Sequence, residues 1–196
     1  SMTDVQSIMY TSGTTANPKG IIFNQINIIS KRFARGLALP EIGPNDTFLC
    51  YLPLFHTFGR YFELLGSIYW GATYTFAESP AFNSLLKDFH LVNPTVFISI
   101  PKRWVQLYEM LEQDLDLDVT EDALIQTTLH ETTGGKLKWG LSAAGFLDPD
   151  IFNFFQSHGI NLLSGYGMTE ATGGITMTPP EDYVIDSVGT ALPGIE

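Results

Sequence analysis

Only one cysteine, Cys50, stands in the 196 residues, so the chain cannot close a disulfide within itself or build a cysteine-based zinc site. That scarcity fits a reducing compartment, and a cytoplasmic location is expected. Basic residues are also few, 10 Lys and Arg against 21 Asp and Glu, for a formal net charge of −11. Nucleic-acid footprints and polybasic membrane anchors need clustered cations, so no nucleic-acid partner is expected. Long uncharged apolar runs are missing as well. The most apolar region, Phe58 to Phe76, is broken by Arg60 and Glu63, which argues against a membrane span and leaves peripheral membrane contact open. No basic-then-apolar leader opens the chain. His90, His130 and His158 lack metal-ligand spacing.

What is present is globular: 44% hydrophobic and 16% charged residues. Val5 to Thr11 reads as a strand and Gly20 to Phe23 as another, with Asn24 placed to cap a helix reaching about Leu39. Further strands are predicted at Asp46–Tyr51, in "ATYTF", at Pro94–Ser99, at Leu137–Ala143 and at Ile160–Ser164. Helices are expected to end near Gly71, over Phe82–Leu91, from Pro101 through Leu111, and over Pro149–Ser157. This alternation predicts an α/β fold with a mainly parallel sheet and helices on both faces. Residues 114–133, acidic and rich in threonine, are expected to form a mobile insertion, and the final "SVGTALPGIE" reads as loop. The opening Ser1-Met2 resembles a protease scar and the end is abrupt, so the natural chain is expected to extend both ways.

The stretch "YTSGTTANPKG" carries the functional question. Small residues after a strand let backbone N–H groups converge on an anion. The hydroxyls of Thr11, Ser12, Thr14 and Thr15 add donors around Gly13, and Lys19 adds a point charge. It is not a Walker A loop, because Pro18-Lys19-Gly20 stands where Gly-Lys-Ser/Thr is required. Composition alone leaves a plain hairpin loop as an equal alternative.

That stretch resembles the phosphate signature of the adenylate-forming superfamily, T-S-G-T-T-G-x-P-K-G, with Ala16 in place of a glycine. Other segments resemble the family's motifs in its order: "LPLFH" (52–56), "LSAAGFL" (141–147), "SGYGMTEATGG" (164–174) and "SVGTALPG" (187–194). "GATYTFAESP" with "NPTVFISIPKRW" is similar to a segment of long-chain fatty-acid–CoA ligases. The resemblance implies the central part of that family's large N-terminal domain, covering 1–196, without the C-terminal domain, the ribose-binding Asp or the distal lysine. The isolated segment is therefore expected to be inactive. It further implies ATP, Mg²⁺ and coenzyme A as cofactor and co-substrates, and a fatty acid as the acid. Thr11, Ser12, Gly13, Thr14, Thr15 and Lys19 would hold phosphates. Ala144, Gly145, Gly165, Tyr166 and Gly167 would surround adenine. Thr169, Glu170 and His56 would serve catalysis, with Mg²⁺ on Glu170 and Thr14. Aryl- or amino-acid-activating domains and a non-catalytic nucleotide-binding module are the alternatives.

Overall fold

The computed structural model describes residues 1–11 and 17–195. Strands β1 (Val5–Thr11) and β2 (Lys19–Asn24) form an antiparallel hairpin apart from the main sheet. Helix α1 (Gln25–Ala38) then starts at Asn24, whose side chain accepts from the Asn27 N–H while Asn27 returns a bond to the Asn24 N–H. That reciprocal pair satisfies two N-terminal donors and fixes where the helix begins.

The main sheet is built from β3 (Thr47–Cys50), β4 (Thr73–Phe76), β5 (Val96–Ser99), β6 (Trp139–Ser142) and β7 (Asn161–Met168), then β8 (Gly173–Met177) and β9 (Thr190–Ala191). Its strand order is β4-β3-β5-β6-β7-β8-β9 among the described residues. The first five run parallel, and β8 and β9 pair antiparallel at one side. Alternation along each strand feeds two cores. Phe48, Val96, Ile98, Leu141 and Leu163 face one side, and Leu49, Phe97 and Leu162 the other. A parallel sheet covered on both faces needs such near-continuous apolar strands.

On the first face lie α1, a π-helical segment (Phe58–Leu64) and α2 (Leu65–Trp70). The second is covered by α3 (Phe82–Val92), α4 (Pro101–Asp114), α5 (Asp122–Thr132) and α6 (Pro149–Ser157). Trp104 is fully buried there, its ring edge-on to Phe97 and Phe155 and its Nε1 donating to the Leu141 carbonyl at 3.3 Å. Gly140 permits this, because a Cβ there would lie 2.6 Å from Trp104 Cη2.

Three expectations are corrected. The 114–133 segment contains α5, whose Ile125 and Leu129 are buried one turn apart, so it docks on the core. Thr127 and Thr128 return their hydroxyls to the carbonyls of Ala123 and Leu124, which accommodates threonine inside a helix. Strand β7 does not stop at Ser164 but runs on through the glycines to Met168, because β8 pairs with it. The last stretch, read as loop, supplies the short strand β9.

Candidate active site

The site is assembled where β6 and β7 end and the chain turns back. After β6, Ala143 donates its N–H to the Ser99 carbonyl, and Ala144 takes a left-handed conformation with φ 65°. L-residues avoid that region, at a cost of about 1–2 kcal/mol. The backbone thus keeps a glycine-like turn although a methyl group occupies it. On β7, Tyr166 lies opposite Thr176, Gly167 opposite Gly174 and Met168 opposite Gly173, with an irregularity between Tyr166 and Gly167. Thr169–Ala171 form a 3₁₀ turn that closes when the Thr172 N–H donates to the Thr169 carbonyl.

His56 approaches from the other side. Its N–H donates to the Pro53 carbonyl, and its Nδ1 accepts from the Phe58 N–H at 3.2 Å. The ring is thereby held at the entry to the π-helical segment. Such segments are rare and are frequent at functional sites.

His56, Ala144, Gly165, Tyr166 and Gly167 line one cavity of about 80 Å³. Five residues singled out from separate segments therefore meet in one place. Gly145 lies just outside, lining a neighbouring recess with Phe146 and Asp186. Thr169, half-buried, and Glu170, exposed, sit on the turn beyond and do not line the cavity. Thr11 and Lys19 face each other at the loop end of the hairpin, and neither lines the cavity. Ser12, Gly13, Thr14 and Thr15 lie outside the described residues. A larger cavity of about 270 Å³ between α5 and α6 is lined by His130 and His158 and contains none of the motif residues.

The sequence reading missed the part of the lining that α1 supplies. Arg35 of α1 lines the cavity and is 3% exposed. It donates Nη1 to the Tyr61 carbonyl at 3.0 Å, and its guanidinium lies 4.5 Å from the Phe62 ring centroid. Gly173, at φ 98°, yields the space, since a Cβ there would come within 2.6 Å of Arg35 Nη2. Lys31 donates to the Gly174 carbonyl at 2.7 Å, and Arg32 is buried beside it. On the π-helical segment Glu63 is fully buried, neither oxygen having a hydrogen-bond partner among the described residues. Burial pushes its carboxyl well above the ordinary range. The one available signal was a carboxylate inside the apolar run "FGRYFELLGSIYW".

The molecule is thus an α/β protein with a glycine-lined cavity at the strand ends of a mainly parallel sheet, where open α/β sheets place their ligands. A family model, that of the AMP-binding enzymes, matches residues 1–196, and the chain belongs to that family. Curated relatives include long chain acyl-CoA synthetase 7, peroxisomal, of Arabidopsis thaliana, 28% identical over 98% of this chain and 31% of its own. Fatty acyl-CoA synthetase A of Dictyostelium discoideum is also 28% identical, over 98% of this chain and 32% of its own. The chain thus spans about a third of the length of these relatives. Among solved structures, ATP-bound MatB of Rhodopseudomonas palustris is similar at a TM-score of 0.77 and 25% identity, over 99% of this chain and 35% of that one. The AMP complex of o-succinylbenzoate coenzyme A synthetase of Bacillus subtilis shares the fold at a TM-score of 0.75 and 24% identity, over 98% of this chain and 36% of that one. No helix among the described residues is long and apolar enough to cross a membrane.

Proposed function

We propose that this chain carries most of the nucleotide shell of an acid–thiol ligase. A fatty carboxylate attacks the α-phosphorus of ATP, giving acyl-adenylate and pyrophosphate, and the thiol of coenzyme A then displaces AMP. The observation that carries the reading is the meeting of His56, Ala144 and Gly165–Gly167 in one cavity of a chain from the AMP-binding family. The names of the curated relatives support the acyl-coenzyme A direction.

In-line phosphoryl chemistry asks the protein mainly for positioning and charge stabilisation. In this reading the Thr11–Gly20 loop, with Ser12, Gly13, Thr14, Thr15 and Lys19, holds the β- and γ-phosphates. Tyr166 and the Ala144-Gly145 turn hold adenine, and His56 positions the carboxylate. Glu170 is an exposed carboxylate on the turn after Thr169, which suits Mg²⁺, an ion that takes one or two protein carboxylates and otherwise phosphate and water oxygens. Bound there, and near Thr14, the ion would neutralise charge on the departing pyrophosphate. Thr169 adds a hydroxyl toward the α-phosphate.

In the full-length protein, Glu170→Gln is expected to lower ATP–pyrophosphate exchange on the order of 10²–10³-fold, as loss of one charge-stabilising group does. Lys19→Met should chiefly raise the KM for ATP. An exchange rate unchanged in both variants rejects the assignment.

A further inference from the structure

The parallel ladders of the sheet are not equally long. β3 pairs with β4 from Thr47–Thr73 to Cys50–Phe76, and β5 with β6 from Val96–Trp139 to Ser99–Ser142. Between β3 and β5 only Phe48–Val96 and Leu49–Phe97 pair. These two strands therefore part at their carboxyl ends. The strand order also reverses here, since β4 lies on one side of β3 while β5, β6 and β7 lie on the other. Open α/β sheets hold their ligands outside the strand ends at such points.

One side chain bridges the gap. Tyr51, the residue after β3, meets Ser99 Oγ with its hydroxyl at 2.6 Å and accepts from the Ile100 N–H at 3.3 Å. Ser99 is fully buried and gives its one proton to the Ile100 carbonyl at 3.1 Å, so Tyr51 is the donor between the two hydroxyls. Burial raises the phenol above its ordinary value, which keeps that proton in place. The ring stacks on Phe97 with centroids 5.9 Å apart, and the Arg103 guanidinium lies 5.7 Å from its centre. The Ser99 carbonyl in turn accepts from the Ala143 N–H at 3.3 Å. Tyr51 and Ser99 do not line the cavity, but the segments they join do. His56 follows Tyr51 in one loop, and Ala143 and Ala144 follow β6. Strand β5 lies between β3 and β6, and this chain of bonds crosses its end from one lining segment to the other.

Resting on the acyl-adenylate reading above, we propose that Tyr51 is a positioning residue for the adenylation step. Its hydroxyl, through Ser99, sets the spacing between the loop that carries His56 and the Ala143-Ala144 turn, and so between the carboxylate and ATP. A ladder of two residue pairs does not reach the strand ends, and the hydroxyl holds them instead. In-line attack depends on that spacing: a misplacement of about 1 Å, made far from the chemistry, can cost about 10²-fold in rate.

The test uses the full-length protein. Pyrophosphate exchange with straight-chain fatty acids selects the acid, and single-turnover adenylate formation from ATP and that acid is then timed. Tyr51→Phe keeps the ring and deletes the hydroxyl. It is expected to lower the single-turnover rate constant about tenfold, at full amplitude, with KM for ATP and for the acid changed by less than about twofold. Ser99→Ala should lower it as much, and the double variant no further than either single one, because both remove the same link. An unchanged rate constant in Tyr51→Phe overturns the proposal, with or without a rise in KM. So does a reduced amplitude at the wild-type rate constant, the outcome of a purely structural role in which fewer molecules fold. Multiplying losses in the double variant overturn it as well, since the two hydroxyls would then act separately. A folded wild type that exchanges with no fatty acid removes the ligase reading and this proposal with it.

Discussion

The parallel body of the sheet and the wall between α1 and β8 treat buried charge in opposite ways. In the body, Asp46 is buried but accepts from Thr95 Oγ1 at 2.7 Å and the Gly43 N–H at 2.9 Å, and it pairs with Lys138 at 3.1 Å. Burial alone would raise its pKa, yet these partners outweigh burial and hold it below the ordinary value. Asp88, also buried, accepts from the Glu78 N–H. In the wall, Arg32 has no such partner among the described residues. Among the described residues, left-handed non-glycine positions include Ala144 beside the cavity and Thr172 after the Thr169 turn, as well as Asn93 at the end of α3 and Asp186. The body is arranged for stability. The wall holds a buried guanidinium without a hydrogen-bond partner among the described residues.

The comparison can be pressed first in the body. Trp104→Ala removes a fully buried ring that Phe97 and Phe155 enclose, and about 3–5 kcal/mol of stability should go with it in denaturant unfolding. A loss below about 1 kcal/mol would mean that the body is not the tightly packed half.

On the π-helical segment, a buried carboxyl should behave in the contrary sense to Asp46. Glu63 keeps its proton in the folded state, whereas the unfolded chain releases it above about 4.5. The unfolded state therefore binds fewer protons there, and the wild type loses about 1.4 kcal/mol per pH unit as pH rises past that value toward the folded pKa. Glu63→Gln removes this dependence, so at pH 7 the variant should be more stable by about 1–3 kcal/mol. The gap should close as pH falls toward 4.5. A pH-independent gap, or a less stable variant at pH 7, contradicts a buried neutral carboxyl. A finer effect is expected at the adenine-side turn. Ala144→Gly relieves the positive φ and should raise stability by up to about 1 kcal/mol, read as a small upward shift in melting temperature.

Much of this was legible in the residues. The strand–helix rhythm, the Asn24 cap and Pro101 at a helix start were local signals, and the structure has them where expected. So was the convergence of "LPLFH", "LSAAG" and "SGYG", since each motif is read from its own few residues. Harder to read were α5, whose buried pair Ile125 and Leu129 is set in acidic, threonine-rich sequence, and β8 and β9, which exist as strands only by pairing across a turn.

By itself, then, the sequence determined the class of fold, the order of its elements and the segments that meet at the cavity, because period and motif are properties of neighbouring residues. It also determined which residues of α1 share a face. Which face turns inward was decided only in three dimensions. Ile26, Ile29, Phe33 and Leu37 are exposed while Arg32 and Arg35 are buried, the reverse of what hydrophobicity alone assigns. The physical reason is that helical spacing fixes relative angles around one axis, whereas orientation is set by what packs against it. Here the π-helical segment and the glycines of β8 leave room for a guanidinium, and the Tyr61 carbonyl and Phe62 ring receive it.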